Sequence, residues 1–326
     1  MGIPLSAAIE EFLTVRQING CSPYTLRNYR LDLQRFAQFV GPDTFVSTIT
    51  VEHVRNFLAA LQTTPSEPCG IAPRPPRLLS PKTIRNVHTT LRSFWRYLIE
   101  EGYVRSNIIA SVRPPQSPQP AIQPLTRDEV LAILRAIDRS APYRNRPDVS
   151  NVRPALLRNR DRAIILVLLD TGVRAGELCA LRVEDYNPAT GAIVVRGKSR
   201  LHSGRGRQRV VYAEQPTHRA LRAYLALRNA HADEPLFATQ EGKPLTRRHL
   251  ALHLKRIGQR AGIPNLHPHR LRHTYAIEYL RNGGDPYTLQ RLLGHSTLEM
   301  VRRYLAISQA DCAAVHRRCS PVVNWL

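Results

Sequence analysis

The sequence predicts a mainly α-helical chain in two domains, the second of which carries one small antiparallel sheet. Apolar residues recur at helical spacing over most of the chain, framed by residues that start and stop helices. A proline-dense run, Pro114-Pro115-Gln116-Ser117-Pro118-Gln119-Pro120, interrupts that pattern about a third of the way along. Prolines this close together favour an extended, semi-rigid chain that no core can bury. Two short runs, 192–196 and 209–212, have the β-branched character of strands. The 326 residues are also more than one core usually organises. The expected division is a helical domain over 1–112, a linker over 113–122 and a second domain over 123–326.

The first helix is expected over about residues 6–19, with Ile9, Phe12, Leu13 and Val15 as its apolar side and Gly20 as its stop. Ser22-Pro23 then sets an N-cap serine before a proline at the first helical position, and Leu26, Tyr29, Leu33, Phe36 and Val40 follow at helical spacing up to Gly41. A third helix is expected over 51–61. Ser80-Pro81 repeats the cap ahead of Ile84, Val87, Leu91, Trp95 and Leu98, and Gly102 closes that helix. The intervening 63–79 holds five prolines and reads as a loop.

Past the linker, Thr126-Arg127-Asp128-Glu129 is a capping box, in which the threonine and glutamate side chains can each satisfy the other's backbone N–H. It opens a helix with Val130, Ile133, Leu134 and Ile137 on one side. Residues 140–159, rich in Arg, Asn and Pro, read as an exposed insertion, and an apolar helix is expected at about 163–169. The two strand-like runs are joined by a basic loop from Gly197 to Arg207. Beyond Pro216 the chain reads as helical, apart from a possible strand at 236–238.

The formal net charge is +22, from 47 basic against 25 acidic residues, which makes a polyanion the natural partner and nucleic acid the commonest one. Lysine occurs only at positions 82, 198, 243 and 255, so the other 43 basic residues are arginine. Codon usage can exchange Lys for Arg, but it does not create a nearly twofold excess of base over acid. The five cysteines, Cys21, Cys69, Cys179, Cys312 and Cys319, are scattered and contain no C-x-x-C pair, as expected of reduced thiols. Cys312, Cys319 and His316 lack the usual spacing of metal ligands. No apolar run approaches the roughly 20 residues of a membrane span, and no signal-peptide pattern opens the sequence, so a soluble cytoplasmic protein is expected.

Breaking a phosphodiester without a metal requires fixed cations or hydrogen-bond donors to offset the charge that builds up at phosphorus, together with a nucleophile and a proton donor for the departing oxygen. Four segments supply such groups. In Thr171-Gly172-Val173-Arg174-Ala175-Gly176-Glu177-Leu178 the arginine sits at the junction between two helices. In Pro268-His269-Arg270-Leu271-Arg272-His273, His269 and Arg272 are three apart and share a helix face. Leu292-Leu293-Gly294-His295-Ser296 adds a histidine after a glycine turn, and Tyr304 follows nine residues later. Each has an ordinary reading when taken alone. Arg174 could be a helix-end charge, Glu177 a favourable first-turn acid, and Tyr304 a packing residue beside Leu305. His267 and Arg270 form a second H-x-x-R pair, and His273 could be a core or hydrogen-bonding histidine.

Taken together and in this order, these motifs resemble the tyrosine recombinase, or phage integrase, family, most closely its Xer-like and mobile-element integrase members. The resemblance covers about residues 124–315, with a weaker helical match before them. It implies an N-terminal SAM-like core-binding domain and a catalytic domain of the tyrosine recombinase type. Arg174 and Arg272 would clamp the scissile phosphate, a task for which the planar guanidinium fork is suited. His269 would accept the tyrosine proton or hold a phosphate oxygen, His295 would bond the same phosphate, and Glu177 would orient the arginine and histidine side chains. Tyr304 would attack phosphorus, leaving a 3′-phosphotyrosyl link. Lys198 resembles the family's hairpin lysine, which protonates the leaving oxygen; in a chain so rich in Arg a retained Lys fits that task, because Arg does not surrender a proton near neutral pH. The loop that follows it is longer than the usual family turn.

Arg200, Arg205, Arg207, Arg209, Arg302 and Arg303 are expected to contact the DNA backbone. The resemblance further implies no metal and no cofactor such as ATP. It implies duplex DNA with an inverted-repeat core site as partner, a dimer on each site, a tetrameric synapse, a tail over about 308–326 that packs on a neighbouring subunit, and room for a second recombinase or accessory factor. The competing functions are an integrase-like protein that binds DNA without cutting it, and a type IB topoisomerase, which shares this chemistry.

Overall fold

Ser22 and Ser80 do what their Ser-Pro dipeptides predict: each hydroxyl accepts the backbone N–H of the residue three positions on, with proline at the first helical position. The computed structural model describes residues 2–65, 77–116, 121–138, 154–197, 208–295, 297–308, 316–317 and 320–322. These fall into two compact units, one ending by residue 116 and the other beginning at residue 121.

The first unit packs helices α1 (Leu5–Ile18), α2 (Pro23–Val40), α3 (Val51–Thr63) and α4 (Pro81–Glu100) around one core. Phe12, Phe36, Phe94, Trp95 and Tyr97 are all buried there. Phe12 meets Phe94 edge-on with ring centroids 5.4 Å apart, and Phe36 meets Trp95 edge-on at 5.8 Å, an arrangement the ring quadrupoles favour. Two polar contacts fix the register: Thr90 donates to Asp32 at 2.8 Å, and His88 Nε2 lies 2.8 Å from the carbonyl oxygen of Val112.

The second unit begins with the expected capping box. Glu129 accepts from the Thr126 backbone N–H at 2.8 Å, and Thr126 accepts from that of Glu129 at 3.2 Å, which opens α5 (Arg127–Asp138). The central helix α6 (Ala155–Thr171) departs from expectation, because it starts eight residues earlier than the apolar run suggests. Its second turn buries paired polar groups. Arg160 donates to Asp161 at 3.1 Å and to the Ala238 carbonyl at 2.9 Å, while His253 Nε2 stands 2.8 Å from Asp161. Charged residues in a buried helix hide its apolar period from a pattern search.

Strands β1 (Ala192–Arg196) and β2 (Gln208–Tyr212) pair antiparallel with Val194 opposite Val210, and Ile193, Val195 and Val211 are buried. The expected strand at 236–238 does not form a ladder. Leu236, Phe237 and Ala238 are buried, but the segment makes only single bridges, between Arg182 and Pro235 and between Ala238 and Pro244. Apolar content there reports burial without a strand partner. The short α7 (Ala175–Leu178) follows α6, and α8 (Gln215–Arg228), α9 (Arg247–Arg260), α10 (Pro268–Arg281), α11 (Pro286–Leu293) and α12 (Glu299–Ser308) complete the unit. Val301 and Tyr304 seat α12 in a small apolar cluster with Ala276, Ile277 and Leu280 of α10 and Leu289 and Leu293 of α11. Among the described residues no helix is long and apolar enough to cross a membrane.

Candidate active site

Gly172 ends α6 in the left-handed region at φ 59°. A Cβ there would fall 2.3 Å from the Tyr275 ring and 2.8 Å from Leu293, so both conformation and space require glycine. The turn it makes delivers Arg174 to the N-cap of α7. Arg272 lies in the first half of α10, whose start is fixed by Pro268 and by His267 Nδ1 accepting the Arg270 backbone N–H at 3.2 Å. The rival H-x-x-R pair is thereby spent elsewhere: His267 caps the helix, and Arg270 bonds Glu129 at 3.0 Å.

Three arginines converge on the C-terminal end of α11, where consecutive carbonyls have no intrahelical partner and the helix dipole is negative. Arg209 donates to the Leu292 carbonyl at 2.6 Å, Arg272 to that of Leu293 at 2.8 Å, and Arg174 to that of Gly294 at 3.0 Å. Arg272 also bonds the Gly172 carbonyl. Gly294 leaves room for this, since a Cβ on it would come within 3.1 Å of the Arg209 guanidinium.

Glu177 is the acid in contact with two of these guanidiniums. It accepts from Arg174 Nη1 at 2.9 Å, from the Arg174 backbone N–H at 2.7 Å, and from both Nη atoms of Arg209 at 3.0 and 2.7 Å. Burial alone would push its carboxyl up, but the hydrogen bonds and the two cations outweigh it and hold the pKa at about 2. Glu177 thus orients two arginines, and among the described residues its bonds include no histidine. Burial, then the neighbouring Arg174, pulls Arg272 down to about 10, still charged at neutral pH. Three guanidiniums facing one carboxylate leave a net positive pocket that suits an anion. Arg174 has a side chain 40% exposed, whereas Arg272 is 3% exposed, so Arg174 forms the open lip of that pocket.

His295 follows directly, with Nε2 2.8 Å from Arg272 Nη2. A guanidinium can only donate, so Nε2 is unprotonated and the ring is neutral with its proton on Nδ1. Burial and the charges of Arg272, Arg174 and Arg209 lower its pKa to about 4. The Tyr304 ring stacks over His295 at 17° with centroids 6.5 Å apart, and its hydroxyl lies 2.8 Å from His273 Nδ1. Tyr304 is buried, and burial raises its pKa against the pull of Arg272, Arg303 and Arg174. His269 stands on the exposed side of α10, its ring 6.3 Å from that of His273.

The structure therefore gathers Arg174, Glu177, Arg272, His295, Tyr304 and, at the edge, His269. Lys198, Arg200, Arg205 and Arg207 lie outside the described residues. Arg302 is exposed and Arg303 half-buried on α12. Arg209, expected among the backbone contacts, has a side chain only 12% exposed and tied to Glu177 and to the Leu292 carbonyl. The strand period carries the reason, since position 209 shares a face with buried Val211. His273 is the hydrogen-bonding histidine that its sequence context allows, and its place four residues after His269 puts it on the same helix face.

The phage integrase family model matches residues 123–311, and the model of the phage integrase N-terminal SAM-like domain matches residues 9–102. The chain is 30% identical to a tyrosine recombinase XerC of Oceanobacillus iheyensis, with 98% of each chain covered. It is also 30% identical to the XerC of Myxococcus xanthus, over 97% of this chain and 98% of that one. Similar solved folds include the Tn1549 transposon integrase in complex with transposon right end DNA, at a TM-score of 0.74 and 18% identity over 97% and 99% of the two chains. A lambda integrase dimer bound to a COC′ core site matches at a TM-score of 0.65 and 21% identity over 91% and 97%.

Proposed function

The chain belongs to the phage integrase family, and from that premise we propose that Tyr304 is the nucleophile of a site-specific recombinase that cuts and rejoins duplex DNA. The enzyme is a tyrosine recombinase of Xer-like type. The phosphodiester sits in the positive pocket, with Arg174 and Arg272 on its non-bridging oxygens, His269 at its edge and His295 beside it, held against Arg272. Tyr304 attacks phosphorus and becomes joined to the 3′ phosphate, and Lys198 gives a proton to the departing 5′ oxygen. The reaction is isoenergetic, because one phosphodiester replaces another, and it runs backward on a new 5′ hydroxyl to rejoin strands. It needs neither ATP nor metal.

The observation that carries this reading is the packing of a buried tyrosine hydroxyl beside an arginine-lined pocket at the end of α11. By the same reading the substrate is an inverted-repeat core site bound by two protomers, with four in the synapse, and Arg302 and Arg303 contact backbone phosphates from α12. The protein acts in the cytoplasm.

The test is covalent capture. Sheared genomic DNA is incubated with the protein, adducts are recovered after denaturation, and the 3′ ends are sequenced; a nicked duplex carrying the recovered site then serves as suicide substrate. The expected result is a protein adduct at one recurrent 3′ phosphate, absent with Tyr304→Phe. Reversible adducts scattered without a shared site would point to topoisomerase action, and tight DNA binding with no adduct would mark a protein that binds without cutting.

A further inference from the structure

Tyr304 Oη has one hydrogen-bond partner among the described residues, and it is His273 Nδ1 at 2.8 Å. His269, the family-like candidate for the proton acceptor, stands one helical turn away with its ring 6.3 Å from that of His273. Resting on the recombinase reading above, we propose that His273 is the general base of the cleavage step and takes the phenolic proton as Tyr304 attacks. The bond from Tyr304 Oη to phosphorus forms while the bond from phosphorus to the 5′ oxygen breaks. The phenolic proton passes to His273 Nδ1, and the departing oxygen receives its proton from Lys198.

The placement follows from helix geometry. Arg272 and His273 are consecutive on α10, so their side chains point about 100° apart. Arg272 reaches the carbonyl of Leu293 at 2.8 Å, and His273 reaches α12. One rigid turn thus holds both a phosphate clamp and the base, which fixes the distance between proton acceptor and reacting centre. The Tyr304 ring lies against both histidines, 5.6 Å from His273 and 6.5 Å from His295. His295 is engaged by Arg272 through Nε2 and is not available as an acceptor there.

The groups facing His273 are His269, Arg272 and His267 from its own helix, and Tyr304 and Arg303 from α12. Burial first, then the positive neighbours, lower its pKa to about 4. In the free protein the ring is therefore neutral, and with its one proton on Nε2, the tautomer this proposal requires, Nδ1 accepts from the phenol, but it is a weak base. A phosphodiester seated between Arg174 and Arg272 changes that balance, because its negative charge offsets the cations that hold the imidazolium off, and the charge grows as phosphorus is attacked. The base gains strength only when DNA is in place. Without DNA the buried phenol keeps its proton, so no reactive phenolate is exposed.

The test uses single-turnover cleavage of a saturating nicked suicide duplex between pH 5 and 10, with DNA affinity measured by mobility shift. His273→Gln and His273→Asn should retain DNA affinity and cleave about 10²-fold or more slowly at neutral pH. Their residual rates should climb tenfold per pH unit as solvent ionises the phenol, whereas the wild-type rate levels off near neutrality. His269→Gln should keep that plateau. A fluorinated tyrosine at position 304, with a phenol that ionises near neutral pH, should restore His273→Gln far more than it speeds the wild type; a packing defect would not respond to phenol acidity.

Wild-type rates in both His273 variants, an unchanged plateau, or loss of the plateau in His269→Gln instead would overturn the assignment. Absence of any adduct with the wild-type protein would sink the recombinase reading itself and take the base with it.

Discussion

Glu177 neutralises only part of the charge around it, and its two oxygens divide their bonds between Arg174 and Arg209. A lysine at 209 would keep the charge but could not span both carboxylate oxygens and the Leu292 carbonyl. Arg209→Lys is therefore expected to slow strand cleavage at least tenfold while DNA affinity changes little, as single-turnover rates and mobility shifts would show. The Glu177 carboxyl also links the site to pH. Its pKa is depressed in the folded state to about 2, so the stability it confers is complete above the ordinary carboxylate range and is lost as the pH falls from there toward 2. Urea unfolding between pH 5 and 2 should show a fall on the order of a few kcal/mol in the wild type that is absent from Glu177→Gln; equal slopes would refute the linkage. The arginines, both catalytic-type histidines and Tyr304 were legible in the sequence because their order and spacing are specific. The inward turn of the Arg209 side chain was not legible, since a charged residue is taken as exposed until a strand period is applied to it, and the hydrogen-bonding histidine expected at His273 had no partner that local sequence could name.

At the scale of elements, the end of α11 organises the site. Its last carbonyls accept from three arginines that come from the α6–α7 turn, β2 and α10, so the pocket forms only when those elements meet. Gly172 is the tight point of the α6–α7 turn, and Gly172→Ala should lower stability by more than the roughly 1 kcal/mol of an ordinary glycine replacement, because Tyr275 and Leu293 must both move. A melting temperature within about 1 °C of wild type would contradict that account. Helix caps were plain in the sequence: Ser22, Ser80 and Thr126 each hold the bond their motif predicts. The early start of α6 was hidden because Arg160 and Asp161 are buried as partners, and pairing across a fold is invisible to a local period. The failed strand at 236–238 has the same origin, since a ladder requires a neighbour that local sequence does not reveal.

For the whole molecule, a charge of +22 makes counterion release the main source of DNA affinity. Binding should weaken linearly in log–log form as salt rises, and Arg302→Ala, at an exposed position on α12, should reduce the slope by about one without changing cleavage of bound DNA. A salt-independent affinity would be incompatible with this view. The central claim, that a tyrosine buried beside the arginine pocket attacks the phosphate, is tested most directly by digesting the trapped protein–DNA adduct and sequencing the nucleotide-bearing peptide by mass spectrometry. The account predicts the nucleotide on Tyr304 and on no other residue; its attachment to Tyr275, Tyr279 or Tyr287, or to a residue that is not tyrosine, would contradict it.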